Sequence, residues 1–132
     1  MKGDARVALH LEKMLSEAKV ALSFVDGLDK ESFLADVKTQ HAVAMCLIIV
    51  GEAVTKLQRD HADYLARHTK VAWRDMTGMR HRIAHGYYKL NFNTVWDTTC
   101  QSLPDLIEKL PPMISELDKK YPPTHLEPGI DS

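Results

Sequence analysis

A run of nine apolar residues, Ala42 to Val50, constrains the fold more than any other feature of this chain. The run lies at the centre of a helical pattern that begins after Asp29, bends near Asp36 and extends to about Arg59. A helix that is apolar on every face must be covered on several sides. Neighbouring helices can cover part of this surface and a second copy of the chain can cover the rest, so the run predicts a homodimer.

The other apolar residues recur at spacings of three and four, which is typical of amphipathic helices. Asp4 is the predicted N-cap of a first helix that ends at Gly27. A further helix is predicted from about Trp73 to Gly86, and Asn93 is the predicted N-cap of a last helical region. The chain lacks the alternating pattern of a β-strand, so the sequence predicts an all-α fold.

The last helical region contains Pro104, Pro111 and Pro112, so we expect two or three consecutive segments along one axis. The patterns together predict one all-helical domain over residues 1–120. Three prolines after Tyr121 predict a flexible, proline-rich C-terminal tail over residues 121–132. The inward-facing residues of the last region are predicted at spacings of four and three: Trp96, Cys100, Leu103, Ile107, Leu110, Ile114 and Leu117.

Composition narrows the class of protein. The 45% hydrophobic and 27% charged residues are ordinary for a globular domain. The longest uncharged apolar run is far shorter than the roughly 20 residues that span a bilayer, and the N-terminus lacks a secretory signal pattern, so we expect no membrane segment. Cys46 and Cys100 lie in helical patterns, where small buried apolar roles are expected rather than a disulfide. These features predict a cytoplasmic protein.

The densest group of reactive side chains lies from Met79 to Tyr88, with two arginines, two histidines and two tyrosines in ten residues. From Arg67 to Lys89 there are six Lys or Arg and one acid, whereas residues 90–132 contain three lysines and seven acids. A basic run alone is typical of a solvated helix face. The histidines and tyrosines within this run favour a local anion site instead.

These side chains suit a phosphodiester. Arg80 and Arg82 can supply fixed positive charge to phosphate oxygens. His81 and His85, four residues apart, share a helix face, and either can transfer a proton. Arg80 and His85 would diverge by about 140° around a regular helix, but Gly86 allows the chain to leave the helix so that His85 can turn toward Arg80. In RNA the 2′-hydroxyl can act as nucleophile, so neither a protein nucleophile nor a metal is needed.

Other interpretations of the same residues stay open. His81 and His85 have the spacing of zinc-binding helices, but Arg82 occupies the position where a metalloprotease helix carries Glu, and its charge repels a cation. The cluster could also be structural, formed of caps and packed rings at a helix end. Glu52, one turn after Ile48 in the apolar helix, needs a partner. Glu52 is either a structural acid bonded to a nearby Arg or Tyr, or a residue of the active site.

The spacing Arg80-x4-His85-x-Tyr87 resembles the motif of the HEPN superfamily, and specifically of its HepT-type toxins. Two further stretches strengthen the resemblance, which covers nearly the whole chain. The segment 51–53, Gly-Glu-Ala, is similar to the second-helix signature of that family, and Trp73 followed by Gly-Met-Arg at 78–80 is similar to its approach to the motif.

The resemblance implies an antiparallel bundle of four to five α-helices that forms a homodimer, in which two motifs meet in a composite cleft. It implies metal-independent endoribonuclease activity, with Arg80 and His85 as the catalytic pair. We further expect His81, Arg82 and Glu52 to support this pair, and we expect no cofactor. The position after the arginine is often Asn in this subfamily and is His81 here. This difference leaves open which of the two histidines is the general base.

The resemblance also implies a partner, a small nucleotidyltransferase antitoxin of the MntA type that adds AMP to the motif tyrosine, here Tyr87. A bulky anionic adduct on Tyr87 would block a phosphate cleft by volume and by charge. The adjacent hydroxyl of Tyr88 is not excluded as the modified group. An alternative function is that of a non-catalytic HEPN module that binds nucleotide or docks a nucleotidyltransferase.

Overall fold

A computed structural model of the chain describes residues 2–120, so the predicted tail over 121–132 lies outside the described residues. All elements within that range are helical, which confirms the all-α class. In chain order they are α1 (Lys2–Val25), α2 (Lys30–Leu34), α3 (Val37–Asp60), α4 (Ala62–Arg67), α5 (Trp73–Gly86), a 3₁₀ turn (Tyr87–Lys89), α6 (Phe92–Asp97), a π-helical turn (Thr98–Ser102) and α7 (Leu103–Lys120).

The four long helices form the predicted antiparallel bundle. Helix α1 packs between α3 and α7, and α5 packs on the other side of α3. Glu17 of α1 lies beside Cys46 of α3, whereas the earlier residue His10 lies near the later residue Lys56. Helices α1 and α3 therefore run in opposite directions, and α3 is the central helix on which α5 is positioned.

Helix boundaries follow local signals, with two corrections in the N-terminal half. Helix α1 begins at Lys2, so Asp4 lies in its first turn and is not the N-cap. Gly27 ends α1 as predicted, with a left-handed φ of 79° that glycine adopts without strain. The single bent helix predicted after Asp29 is instead two helices. The Asp29 carboxylate caps α2, and the Asp36 carboxylate caps α3 by accepting a hydrogen bond from the Thr39 amide.

The last helical region has three segments, as expected, but the prolines do not separate them. Pro111 and Pro112 lie inside α7, and the interruption is the π-helical turn between α6 and α7. The N-cap of α6 is Asn91 rather than Asn93, because the Asn91 side chain accepts a hydrogen bond from the Asn93 amide.

The π-helical turn also explains why one predicted core residue is exposed. The fully buried residues of this stretch are Val95, Thr99 and Leu103, four residues apart, and the wider π-helical turn keeps that spacing on one face. Thr99 therefore faces the core, where its hydroxyl donates to the Val95 carbonyl at 2.8 Å, and Cys100 faces outward. The prediction of a buried Cys100 was wrong, whereas Cys46 is buried as predicted.

One side of α3 is only partly covered by the rest of the chain. We call this side the open α3 face; it is formed by His41, Met45, Ile48 and Glu52, spaced four, three and four residues apart. Met45 is 57% exposed there, and Ile48 is half-buried. Helix α3 is long and apolar enough to cross a membrane by length and composition alone, but 50% of its apolar window is buried inside the bundle. Such burial is typical of a core helix.

Candidate active site

Helix α5 crosses α3 at Gly51, and this contact positions the start of the motif. A Cβ atom at Gly51 would lie 2.3 Å from the Arg80 Cβ and 2.8 Å from the Met76 carbonyl oxygen. Both distances are shorter than real Cβ atoms show, so only glycine permits this crossing. The backbone of α5 is thereby held directly against α3, with the Arg80 stem lying over Gly51.

The guanidinium of Arg80 is held at the surface between α3 and α5 by Glu52. The Arg80 Nη2 donates to the Glu52 Oε2 at 3.0 Å, and the two side chains are 30% and 41% exposed. The Arg80 Nε is buried, without a hydrogen-bond partner among residues 2–120. Glu52 thus has the arginine partner that its place in an apolar helix required.

His81 and His85 lie side by side on the exposed face of α5, as their spacing predicted. Their ring centroids are 4.5 Å apart. The expected turn of His85 toward Arg80 does not occur, because α5 continues through His85 and ends only at Gly86. Within one chain Arg80 therefore faces α3, and His85 diverges from it by about 140° around the helix axis.

A basic cavity of about 370 Å³ adjoins the two histidines. Its volume falls within the range of pockets that bind small organic groups. Arg82 and Lys89 supply positive charge, and Asn91 and Thr94 supply polar groups. The complete lining is His81, Arg82, His85, Gly86, Lys89, Leu90, Asn91 and Thr94. Over the part of the chain that the structure describes, no three His, Cys, Asp or Glu side chains converge as a metal-binding group.

Tyr87 is bound to a histidine that sequence reasoning did not single out. The Tyr87 hydroxyl and the His41 Nδ1 form a short hydrogen bond, and the two rings meet edge to face with centroids 5.1 Å apart. Phe92 packs against the other side of Tyr87 at 5.7 Å. Burial raises the pKa of the Tyr87 hydroxyl, whereas Tyr88 is fully exposed.

The open α3 face therefore holds both ends of the motif. Glu52 binds the arginine at its start, and His41, three helical turns earlier, binds the tyrosine at its end. The spacing of eleven residues between His41 and Glu52 places them on one side of α3. That spacing was visible in the sequence, but nothing in the sequence indicated that α5 would lie along that side.

Comparison with known proteins identifies the family. The profile of the family described as "Ribonuclease HepT-like" matches residues 14–113, a range that includes His41, Glu52 and the whole motif. The chain belongs to the HepT-like ribonuclease family. The resemblance to HepT-type members of the HEPN superfamily is thus confirmed.

Several relatives match most of the chain. A "Putative RNase" of Caldanaerobacter subterraneus is 32% identical over 97 residues, covering 74% of this chain and 84% of the relative. A "Putative RNase" of Methanocaldococcus jannaschii is 29% identical over 117 residues, covering 89% and 93%. A "Probable ribonuclease HepT" of Thermococcus cleftensis is 31% identical over 97 residues, covering 74% and 86%. No solved structure matches the chain significantly.

Proposed function

We propose that this protein is a toxin endoribonuclease of the HepT type that acts on cytoplasmic RNA without a metal ion. The observation that carries this proposal is the place of the motif. Arg80 is anchored at the α3–α5 surface, and the neighbouring rings of His81 and His85 lie beside a basic cavity. Phosphate-binding charge and proton-transfer groups are thus presented on one exposed region of α5.

The cleavage step uses the RNA's own nucleophile. The 2′-hydroxyl oxygen attacks the adjacent phosphorus, the bond from phosphorus to the 5′-oxygen breaks, and a 2′,3′-cyclic phosphate forms. One of the two histidines, His81 or His85, accepts the 2′-hydroxyl proton, and the 5′-oxygen takes up a proton as it leaves. Arg80 exchanges its bond to Glu52 for the phosphate oxygens and stabilises the charge of the transition state. The positive charges of Arg82 and Lys89 attract the phosphate backbone of the RNA to the cavity.

We propose that the site is completed in a homodimer. Arg80 and His85 diverge within one chain, so a second motif facing the first would supply the missing group on the far side of a bound phosphate. The open α3 face is the surface that favours such pairing. It is apolar at Met45 and Ile48, and it carries the ion pair of Arg80.

The catalytic assignment is tested by Arg80→Ala, His81→Ala and His85→Ala. RNA cleavage by Arg80→Ala should fall by about 10²–10³-fold, the cost of losing one transition-state stabiliser. RNA cleavage by His85→Ala should fall by about 10²–10⁴-fold if His85 is the general base. Comparison with cleavage by His81→Ala shows which of the two histidines has that role. Arg74→Ala is the matched control, because Arg74 is an exposed arginine of α5 outside the motif.

Cleavage is measured on labelled RNA, alongside growth arrest and circular dichroism of each variant. If Arg80→Ala and His85→Ala both stay toxic, the catalytic assignment is wrong. If the original chain also fails to cleave RNA, the alternative of a non-catalytic HEPN module is favoured. Activity should survive excess EDTA, because no step of the proposed mechanism passes through a metal. Loss of cleavage in EDTA, restored by zinc, would point to a metal site at the paired histidines.

We further propose that a nucleotidyltransferase antitoxin of the MntA type neutralises the protein by adding AMP to Tyr87. Supporting this proposal, Tyr87 lies one residue beyond α5 and close to both the motif and the exposed surface. The test is intact mass and peptide mapping of the protein expressed alone and together with an MntA-type nucleotidyltransferase. The added nucleotide mass should lie on Tyr87 and only in the coexpressed sample. A neutralised but unmodified chain would indicate inhibition by docking.

A further inference from the structure

The bond between Tyr87 and His41 carries an inference about how the tyrosine reacts. A phenol whose pKa is raised by burial is a poor nucleophile unless a base removes its proton in the reaction. The two side chains come from separate elements, since His41 lies in α3 and Tyr87 follows α5. Their rings meet edge to face and their polar atoms meet at Nδ1 and Oη. With the His41 ring proton on Nε2, the Nδ1 accepts from the Tyr87 hydroxyl, which is the nucleophile–base arrangement of activated hydroxyl groups.

We propose that His41 is the base that activates Tyr87 for nucleotidylation, a role that rests on the function proposed for Tyr87. The Tyr87 Oη attacks the α-phosphorus of a nucleoside triphosphate held by the partner enzyme. The Oη–phosphorus bond forms, the bond from the α-phosphorus to the bridging oxygen breaks, and pyrophosphate leaves. The phenolic proton passes to the His41 Nδ1 and from there to water.

The surroundings favour this role over a purely structural bond. In the single chain His41 is exposed at the end of the open α3 face, beyond the apolar residues Met45 and Ile48 that would pair in a dimer, so a proton that it accepts can leave to solvent. Phe92 packs on Tyr87 at 5.7 Å, so the tyrosine ring keeps its place without the histidine. The adjacent Tyr88 is fully exposed, and its ring meets that of Tyr87 edge to face at 6.4 Å. The protein therefore contains one activated and one ordinary tyrosine side by side.

The role of His41 can be measured without RNA and without a partner enzyme. Benzenesulfonyl fluoride reacts with a phenol oxygen: the S–O bond forms, fluoride leaves, and a neighbouring base takes the proton. The full-length chain and the variants His41→Asn and His41→Ala are treated with this probe, and labelling of Tyr87 and Tyr88 is followed by peptide mapping. Asparagine keeps an acceptor near the position of the Nδ1 but cannot take a proton.

The expected result is that Tyr87 is labelled faster than Tyr88 in the unmodified chain. Both His41→Asn and His41→Ala should lower the Tyr87 rate by about 100-fold, the lower end of general-base effects, and leave the Tyr88 rate unchanged. If His41→Asn reacts like the original chain, His41 only positions the hydroxyl and the proposal is wrong. It is also wrong if Tyr88 is labelled faster than Tyr87 in the original chain.

Coexpression with an MntA-type nucleotidyltransferase tests the inference about His41 separately from the proposed modification of Tyr87, on which it rests. His41→Asn should then carry about 100-fold less nucleotide on Tyr87 at early times. If the original chain carries no nucleotide, the proposed modification fails, and the sulfonyl fluoride rates still decide whether His41 activates Tyr87. Circular dichroism of both variants shows whether the fold is retained.

Discussion

At the scale of single residues, the contact between Gly51 and Arg80 leads to a sharp prediction. In Gly51→Ala the new methyl group would meet the Arg80 Cβ and the Met76 carbonyl oxygen at distances that real structures do not tolerate. Neither atom belongs to a flexible side-chain end, so α5 must shift. We expect a loss of about 1–3 kcal/mol of unfolding free energy and a loss of RNA cleavage. Urea unfolding and the RNA assay measure the two effects.

Gly78→Ala is the matched control for that variant. Gly78 also lies inside a helix, but a Cβ there would meet only the end of the Arg82 side chain, at 3.8 Å. Alanine should therefore raise stability by about 0.5–1 kcal/mol through helix propensity. Equal effects of the two substitutions would show that the close crossing at Gly51 does not constrain α5.

The same contact shows what the sequence could and could not predict about the site. The spacing of Arg80, His85 and Tyr87 was readable directly, and Glu52 was recognised as an acid in need of a partner. The sequence did not show why position 51 must be glycine, or that His41 binds Tyr87. Both depend on which residues of α3 lie beneath α5, and that register comes from tertiary packing rather than from either segment alone.

At the scale of helices, most starts and stops were predictable because capping is local. Gly27, Gly86 and the aspartate caps act within a few residues of themselves. The π-helical turn at Thr98–Ser102 was not predictable, because it arises where α6 and α7 each keep their own buried face. The four-three repeat through Cys100 assumed a regular helix, whereas the buried residues Val95, Thr99 and Leu103 are four residues apart.

The pairing of α1 with α3 leads to a prediction about pH. Burial, followed by the nearby charges of Lys13, Lys56 and His61, lowers the pKa of His10 below its ordinary value of 6.5. As the pH falls below about 6.5, His10 takes up a proton in the unfolded chain before it does so in the folded chain. The free energy of unfolding therefore decreases. Above about pH 7 both states are neutral at His10, and the penalty is absent.

His10→Leu should remove this part of the acid sensitivity. The variant loses both the titrating ring and a buried Nδ1 that has no hydrogen-bond partner within residues 2–120. The urea midpoint of the variant should therefore exceed that of the original chain by more at about pH 5.5 than at about pH 7.5. A difference between the two chains that does not change with pH would contradict the assignment.

At the scale of the whole molecule, the all-α class followed from hydrophobic spacing, and the antiparallel bundle followed from the resemblance to the HEPN superfamily. Spacing shows which residues must be buried, but it does not show what buries them. The apolar run at 42–50 illustrates this limit: α1 and α5 cover most of it, and Met45 is left 57% exposed. A homodimer remains a prediction from that exposed surface and from the divergence of Arg80 and His85.

The homodimer can be tested by placing a glutamate either on the open α3 face or, as a control, outside it. Met45→Glu puts a carboxylate in the middle of the open α3 face, between the Tyr87–His41 and Arg80–Glu52 pairs. If this face is a dimer interface, the charge would be buried without a partner, at a cost of about 2 kcal/mol or more. Such a cost corresponds to a dissociation constant raised by about 30-fold or more. Light scattering at micromolar concentration should then show a monomer, and RNA cleavage should fall with it.

Leu9→Glu is the control, because Leu9 is also 57% exposed but lies on α1 and outside the open α3 face. It adds the same charge to the chain and should leave the dimer and the cleavage rate unchanged. If Met45→Glu stays dimeric and active, the two motifs do not meet across this face. An original chain that is monomeric and still cleaves RNA would show that one motif suffices. His85 would then have to reach the phosphate held by Arg80 from its own side of α5.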